Sequence, residues 1–509
     1  MLPADIIPLT LDQLARRGAS GAPALAGRFG TLDYAALDAL TSHVAGGLLA
    51  RGLQPGDRVA TWLAKTRLAC VMPLATARAG LIHVPINPLL KHAQAAHILA
   101  DSGARLLIAG EGRAATLVPG DLPDDCALLL EAEADDVLPG CETPLPPSDR
   151  DPERLAAILY TSGSTGRPKG VMLSHANLWL GALSVASYLK LSPADRTLCV
   201  LPLSFDYGQN QLLSTWAAGG CAIPLDYLTP RDVIRAVDSH DATTLAGVPP
   251  LWIQLVEADW PPDIAGKLKR LTNSGGALGT SLVRRLRDRF SAADLYPMYG
   301  LTEAFRSTYL DPGLVDSHPE SMGRAIPLAE ILVVRPDGQE AGDGEAGELV
   351  HAGPLVARGY WNDSERTAER FRPAPSWSRA GGMAVWSGDT VMRDADGLHY
   401  FVGRDDEMIK SSGNRISPAE IEEAAAASGA VAESMALGVP DARLGHAIHV
   451  VARAAKKLKV EAAEVRLRAW LKAELPGFMQ PHVIHWRDAL PRNANGKLDR
   501  AGIRAELMS

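Results

Sequence analysis

The sequence predicts an α/β protein: a large N-terminal part of layered α/β subdomains with a β-rich subdomain, then a small α+β C-terminal part. Three observations predict it. Between residues 59 and 298, short apolar runs alternate with segments of helical periodicity, the pattern of strands linked by helices in a largely parallel sheet. From about residue 331 short strands are separated by turn signals, PDG at 336–338, DG at 343–344 and DADG at 394–397. After GRDD at 403–406 a new unit begins, roughly the hundred residues of a small domain. At 509 residues the chain exceeds one ordinary core, so parts of 1–405 and 406–509 are expected.

In order, residues 9–52 read as two helices around a short extended piece, the second at 34–51. Strands follow at 59–63, 82–85 and 105–108, with helices at 68–80 and 93–102 between them. Residues 133–153, rich in Asp, Glu and Pro, read as a solvated connection. The apolar run 155–159 reads as a buried strand, 171–173 as another, and a helix starts from Ser174. Alternation resumes with strands at 198–201, 221–225, 244–248, 271–277 and 295–298. Helices lie between them at 209–218, 231–239, after the prolines at 249–250, and at 282–290. The C-terminal unit opens with a strand and a helix at 418–427 and ends in a loop at 491–498.

Composition narrows the function. Hydrophobic residues make up 47% and charged residues 22%, as in ordinary globular proteins. The net charge of -8 argues against nonspecific nucleic-acid binding, and any anionic ligand needs local basic residues. Five cysteines with no C-x-x-C pair argue against zinc and a disulfide framework. No basic start precedes a long apolar stretch and no 18-residue apolar span exists, so a cytoplasmic enzyme is expected.

The richest stretch is YTSGSTGRPKG at 160–170. Gly163, Gly166 and Gly170 let the backbone bend closely around a ligand. Thr161, Ser162, Ser164 and Thr165 are uncharged donors, and Lys169 adds a positive point charge. That combination suits a polyphosphate. The glycine spacing is not that of a Walker loop, and alone the stretch also fits an ordinary Ser/Gly surface loop.

The rest of the chain decides between these. YTSGSTGRPKG resembles the phosphate-binding signature of the AMP-forming adenylating enzymes: acyl-CoA synthetases, amino-acid adenylation domains and luciferases. YGLTE at 299–303, GEL at 347–349, GYWN at 359–362 and SGD at 387–389 (Ser where TGD is usual) are similar to further motifs of that superfamily, in its order. So are GRDDEMIK at 403–410, GNRI at 413–416 and PRNANGK at 491–497. The resemblance spans essentially the whole chain. It implies a carboxylate activated by ATP to acyl-AMP and pyrophosphate, then displacement of AMP by a thiol. Lys497 would contact the carboxylate and the α-phosphate. Residues 161–165 and Lys169 would hold the outer phosphates. Thr165 and Glu303 would bind Mg²⁺. Tyr299 would stack on adenine, with Gly275, Gly276 and Ala277 against the other face and Gly300 and Thr302 beside them. Asp389 and Arg404 would take the ribose. Asp406 would be the hinge of a mobile C-terminal lid, with Lys410, Ser411, Ser412 and Gly413 turned to the thiol.

Phe205, Asp206, Tyr207, Val248, Asn273 and Ser274 fall at the acyl pocket. The SFD at 204–206 resembles amino-acid adenylation domains, where an Asp pairs with the substrate's α-ammonium. Asp206 equally fits a residue bonded to backbone or capping the helix at 209–218. SFDYGQNQL at 204–212 also resembles a bacterial subgroup of exosortase-associated acyl-CoA ligases. No carrier domain is seen after Lys497, so the thiol is expected from coenzyme A or a discrete carrier protein. The partners expected are a small carboxylate, ATP and that thiol, with no nucleic acid and no membrane span. An acid–thiol ligase is the leading expectation and a stand-alone aminoacyl–carrier ligase the alternative. A non-catalytic nucleotide-binding relative would lose Lys497 or the phosphate loop, and both are present.

Overall fold

The computed structural model describes residues 6–161, 168–404, 409–411, 414–441, 444–475, 477–493 and 496–508. Its first sheet has six strands in the order Ala127–Leu130, Ala104–Ala109, Arg58–Trp62, Ile82–Pro85, β1 (Leu155–Thr161) and β2 (Lys169–Ser174). The first five run parallel. β2 runs antiparallel to β1 and sets Thr161 opposite Lys169. Ser174 then caps α1 (His175–Tyr188), its hydroxyl accepting from the Asn177 N–H at 3.1 Å.

The second sheet places the site. Its central strands Cys221–Pro224, Arg196–Cys199, β3 (Thr244–Gly247), β4 (Arg270–Asn273) and β5 (Asp294–Tyr299) are parallel neighbours. Their carboxyl ends therefore open on one edge, where ligands bind in open α/β sheets. The residues just beyond those ends are the predicted ones: Phe205 and Asp206, Val248, Ser274 to Gly276, and Gly300 to Glu303. α2 (Asp206–Ala217) starts at this edge and all twelve of its residues are buried. Such a helix gains more from burial than from propensity. Gly208 permits that burial: a Cβ there would lie 1.9 Å from the Pro202 carbonyl oxygen. α3 (Thr280–Arg289) follows β4. Beyond β5 the sheet continues antiparallel and includes β6 (Met383–Arg393) and β7 (His399–Arg404), the expected β-rich region.

Residues from 409 onward build their own sheet and core. Ile421, Ile448, Val450, Leu467 and Leu471 are buried together, and α4 (Pro418–Ala427) covers one face. α4 meets the large part through Glu423, which accepts from the Thr280 hydroxyl at 2.8 Å.

Three expectations change. The segment before residue 34 holds a 3₁₀ turn, Leu11–Arg16, and a hairpin of Pro23–Gly27 with Gly30–Asp33. The extended piece is thus two paired strands, and only the second predicted helix is a helix. The connection 133–153 begins inside a helix, Glu131–Val137, and Leu138 is buried against Gly47 of the Tyr34–Ala50 helix; one buried apolar residue per turn anchors an otherwise acidic segment. The strand expected at 271–277 ends at Asn273, because Gly275 takes φ +79°, outside any strand. No helix among the described residues is long and apolar enough to cross a membrane, and all five cysteines are free.

Candidate active site

Three groups of side chains meet at the open edge of the second sheet. The first joins Lys169 and Glu303 through a residue that sequence reasoning did not select. Lys169, at the start of β2, donates to the Tyr360 hydroxyl at 2.8 Å, and that hydroxyl donates to Glu303 Oε1 at 2.6 Å. Lys169 Nζ also lies 3.5 Å from the same carboxylate and 4.2 Å from the Tyr360 ring centroid. Burial alone would raise the Glu303 carboxyl; Lys169, the Tyr360 hydroxyl and a backbone N–H together hold it below its ordinary value. Burial lowers the Lys169 ammonium, Glu303 opposes this, and Arg370 and Arg366 add to it. Arg370, anchored by a 3.0 Å bond to the Trp386 carbonyl, brings a second cation to the same place. Tyr360 was legible as part of GYWN, but nothing in that motif says where its hydroxyl points.

The second group gathers Tyr299, Asp389, Gly275 and Lys497. The Tyr299 hydroxyl donates to the Asp389 carboxylate, which is buried in β6. Asp389 pairs in register with Arg404 across β6 and β7. Gly275 faces the tip of Lys497: a Cβ added there would meet Lys497 Cε at 3.1 Å and Phe205 Cζ at 3.4 Å. Lys497 Nζ lies 5.3 Å from the Phe205 ring centroid. The lysine from the C-terminal loop thus reaches into the edge of the second sheet. Gly276 is fixed by a bond of 2.8 Å from the Asn273 amide to its carbonyl, while Ala277 is exposed.

The third group is built around Asp206. It does not cap α2, and its carboxylate already meets a cation within the chain. The Arg306 guanidinium donates to its Oδ2 at 2.7 Å and the Thr302 hydroxyl lies 3.3 Å from its Oδ1. Arg306 is 2% exposed and stacks 4.6 Å from the Tyr207 ring centroid. Tyr207 in turn bonds Thr272 at 2.6 Å. Phe305, between Glu303 and Arg306, takes φ 64° and ψ -75°, a strained turn for a bulky residue. The turn sends Glu303 towards Lys169 and Arg306 towards Asp206.

Ser162, Gly163, Ser164, Thr165, Asp406, Ser412 and Gly413 lie outside the described residues, and Arg404 and Lys410 are described in their backbone only. Ser411 is buried in the small sheet. No cluster of three or more metal-ligating side chains exists among the described residues. One ionised carboxylate, Glu303, fits a Mg²⁺ ion that takes its other ligands from phosphates and water. An open cleft of about 500 Å³ lined by Trp260, Arg285 and Phe290 contains none of the predicted site residues.

A buried lysine–carboxylate pair, with a second lysine brought in from a separate core, suits an enzyme that works on nucleotide phosphates. The chain belongs to the AMP-binding enzyme family: residues 11–361 match that family and residues 420–497 match the AMP-binding enzyme C-terminal domain. It is 34% identical over 481 residues to a feruloyl-CoA synthase of Amycolatopsis sp., covering 93% of each chain. It is 29% identical to part of tyrocidine synthase 3 of Brevibacillus parabrevis, covering 93% of this chain and 7% of that one. Its fold is similar to that of ATP-bound MatB from Rhodopseudomonas palustris, with a TM-score of 0.87, 28% identity and coverage of 98% and 99%. The chain is an ATP-dependent, AMP-forming ligase of the acid–thiol type.

Proposed function

We propose that the acid is one without an α-ammonium group and that the thiol is coenzyme A. The pairing of Asp206 with Arg306 carries this reading. An amino-acid substrate needs that carboxylate for its ammonium, and here a buried guanidinium already satisfies it. The similarity to a feruloyl-CoA synthase supports an acyl-CoA product.

In the first half-reaction a carboxylate oxygen bonds to the α-phosphorus of ATP, and the bond to the bridging oxygen breaks with its electron pair leaving on pyrophosphate. Lys497 neutralises the two approaching anions. Lys169, Arg370 and residues 161–165 receive the outer phosphates. Glu303, steadied by Tyr360, would hold Mg²⁺, and that ion would supply screening of the phosphate charge. Tyr299 and Asp389 seat the nucleoside. In the second half-reaction the thiolate attacks the acyl carbon and AMP leaves. Before that attack the small part pivots at Asp406, withdrawing Lys497 and turning the 410–413 segment to the thiol. The reaction belongs in the cytoplasm, where ATP and coenzyme A are available.

The test is ATP–pyrophosphate exchange over amino, fatty and aryl acids, followed by thioester formation with coenzyme A. Exchange with non-amino acids is expected. Exchange confined to amino acids would overturn the reading. Lys497→Ala should slow exchange ~10²–10³-fold while supplied acyl-AMP still reacts with coenzyme A; equal loss in both steps would overturn the pivot.

A further inference from the structure

We propose that the acid carries an uncharged hydroxyl at its far end and that Arg306, Gln211 and Asn210 recognise it. This rests on the acid–thiol reading above and names its substrate class. A small cavity lies behind α2, lined by Tyr207, Asn210, Gln211, Thr244, Thr272 and Arg306. All six are at least nine-tenths buried. Several of their polar atoms find no partner among the described residues: Arg306 Nε and Nη2, both amide atoms of Gln211, Asn210 Oδ1 and Thr244 Oγ1. Unmade bonds at this density are unusual in a folded core and mark a place for a ligand.

Size and charge say what kind of group fits. About 20 Å³ is open to a water-sized group, and one water needs roughly 10–15 Å³ by that measure. A hydroxyl fits and a ring does not. Asp206, 2.7 Å from Arg306, already offsets the guanidinium charge. A carboxylate or ammonium head would therefore stand as a buried, uncompensated charge. An apolar head would leave the guanidinium N–H groups without acceptors. An ether or ketone could accept from Arg306 but offer nothing to Asn210 Oδ1. A hydroxyl accepts from Arg306 and donates to Asn210 or Gln211.

The cavity is in line with the chemistry. Lys497 sits against Phe205, Phe205 meets Tyr207 edge-on at 6.2 Å, and Tyr207 borders both Arg306 and the cavity. An acyl skeleton lying along these two rings would have its carboxylate at Lys497 and its far end at Arg306.

The experiment uses benzoate, cinnamate and octanoate skeletons, each ending in hydrogen, hydroxyl or carboxylate. Affinity is measured by calorimetry with a non-cleavable ATP analogue, and turnover by pyrophosphate exchange. On at least one skeleton the hydroxyl form should bind and turn over ~10–100-fold better than the hydrogen form. Gln211→Leu, which keeps the ion pair, should erase most of that preference. So should Asp206→Asn with Arg306→Met, chosen because Arg306→Met alone strands a buried carboxylate. Turnover without a hydroxyl preference, a carboxylate preference, or a preference that survives both variants would overturn this inference alone. A hydroxyl preference in binding without exchange would instead overturn the ligase reading and keep the recognition site.

Discussion

At position 206 a carboxylate is held in the interior by a cation a hundred residues away in the chain. Removing one partner of a buried pair leaves the other charged and unsolvated, so Asp206→Ala should cost about 3–5 kcal/mol. Denaturant unfolding measures this, and Asp206→Leu with Arg306→Met should recover most of the loss. A single mutant as stable as wild type would show that the pair is not intact in solution. Tyr360 acts differently, because its hydroxyl touches both Lys169 and Glu303. Tyr360→Phe keeps the ring and its packing against Phe371. It should lower kcat/KM for ATP roughly 10–100-fold, as loss of a bond to a metal-holding carboxylate does, and raise the Mg²⁺ concentration for half-maximal rate. A purely structural residue would leave that Mg²⁺ dependence unchanged.

Among the elements, the strand Glu330–Val334 is tied to the loop before β6 by one carboxylate. Glu330 accepts from the Ser378 hydroxyl at 2.6 Å and from the Arg379 and Ala380 N–H groups at 3.1 and 2.8 Å. Burial would raise this carboxyl, but these bonds outweigh it and bring the pKa down to about 2. The folded value lies below the unfolded one, so the stabilisation is present above about pH 4.5 and is lost as pH falls towards 2. Glu330→Gln should therefore destabilise by about 2 kcal/mol at pH 7. The difference from wild type should shrink towards pH 2–3, and unfolding curves at the two pH values check it. A difference independent of pH would mean that the charge is irrelevant.

Across the whole molecule, buried neutral histidines add to its sensitivity to acid. Burial lowers His83 and His351 to about 3 and His175 to about 4. Each neutral ring is bonded through one nitrogen, to Thr61, Ser307 and the Leu11 N–H respectively. Below about pH 6.5 the unfolded chain takes up protons that the fold refuses, so stability falls as pH falls, each histidine adding at most about 1.4 kcal/mol per pH unit. The melting temperature should drop steadily from pH 6.5 to 5, before most carboxylates titrate. A flat profile there would mean that these rings are reached by water.

Much of this protein was legible in its residue order. Alternating strand and helix periods specified parallel strands, and parallel strands put their carboxyl ends on one edge. The motifs that follow those ends were bound to meet there, as Phe205, Gly275 and Tyr299 do. Lys169 and Glu303 were legible for the same reason, each lying directly beside a strand end. What only the tertiary structure decided is which group satisfies which. Asp206 offered an ammonium partner or a helix cap to anyone reading along the chain, and the fold sets a guanidinium beside it. Its partner, Arg306, comes from a strained turn after β5, and its neighbours Asn210 and Gln211 are ordinary polar residues until α2 is buried on all sides. Periodicity reports on burial along one element. Charge pairing and unmet hydrogen bonds depend on distances between elements, and those exist only once the core has closed.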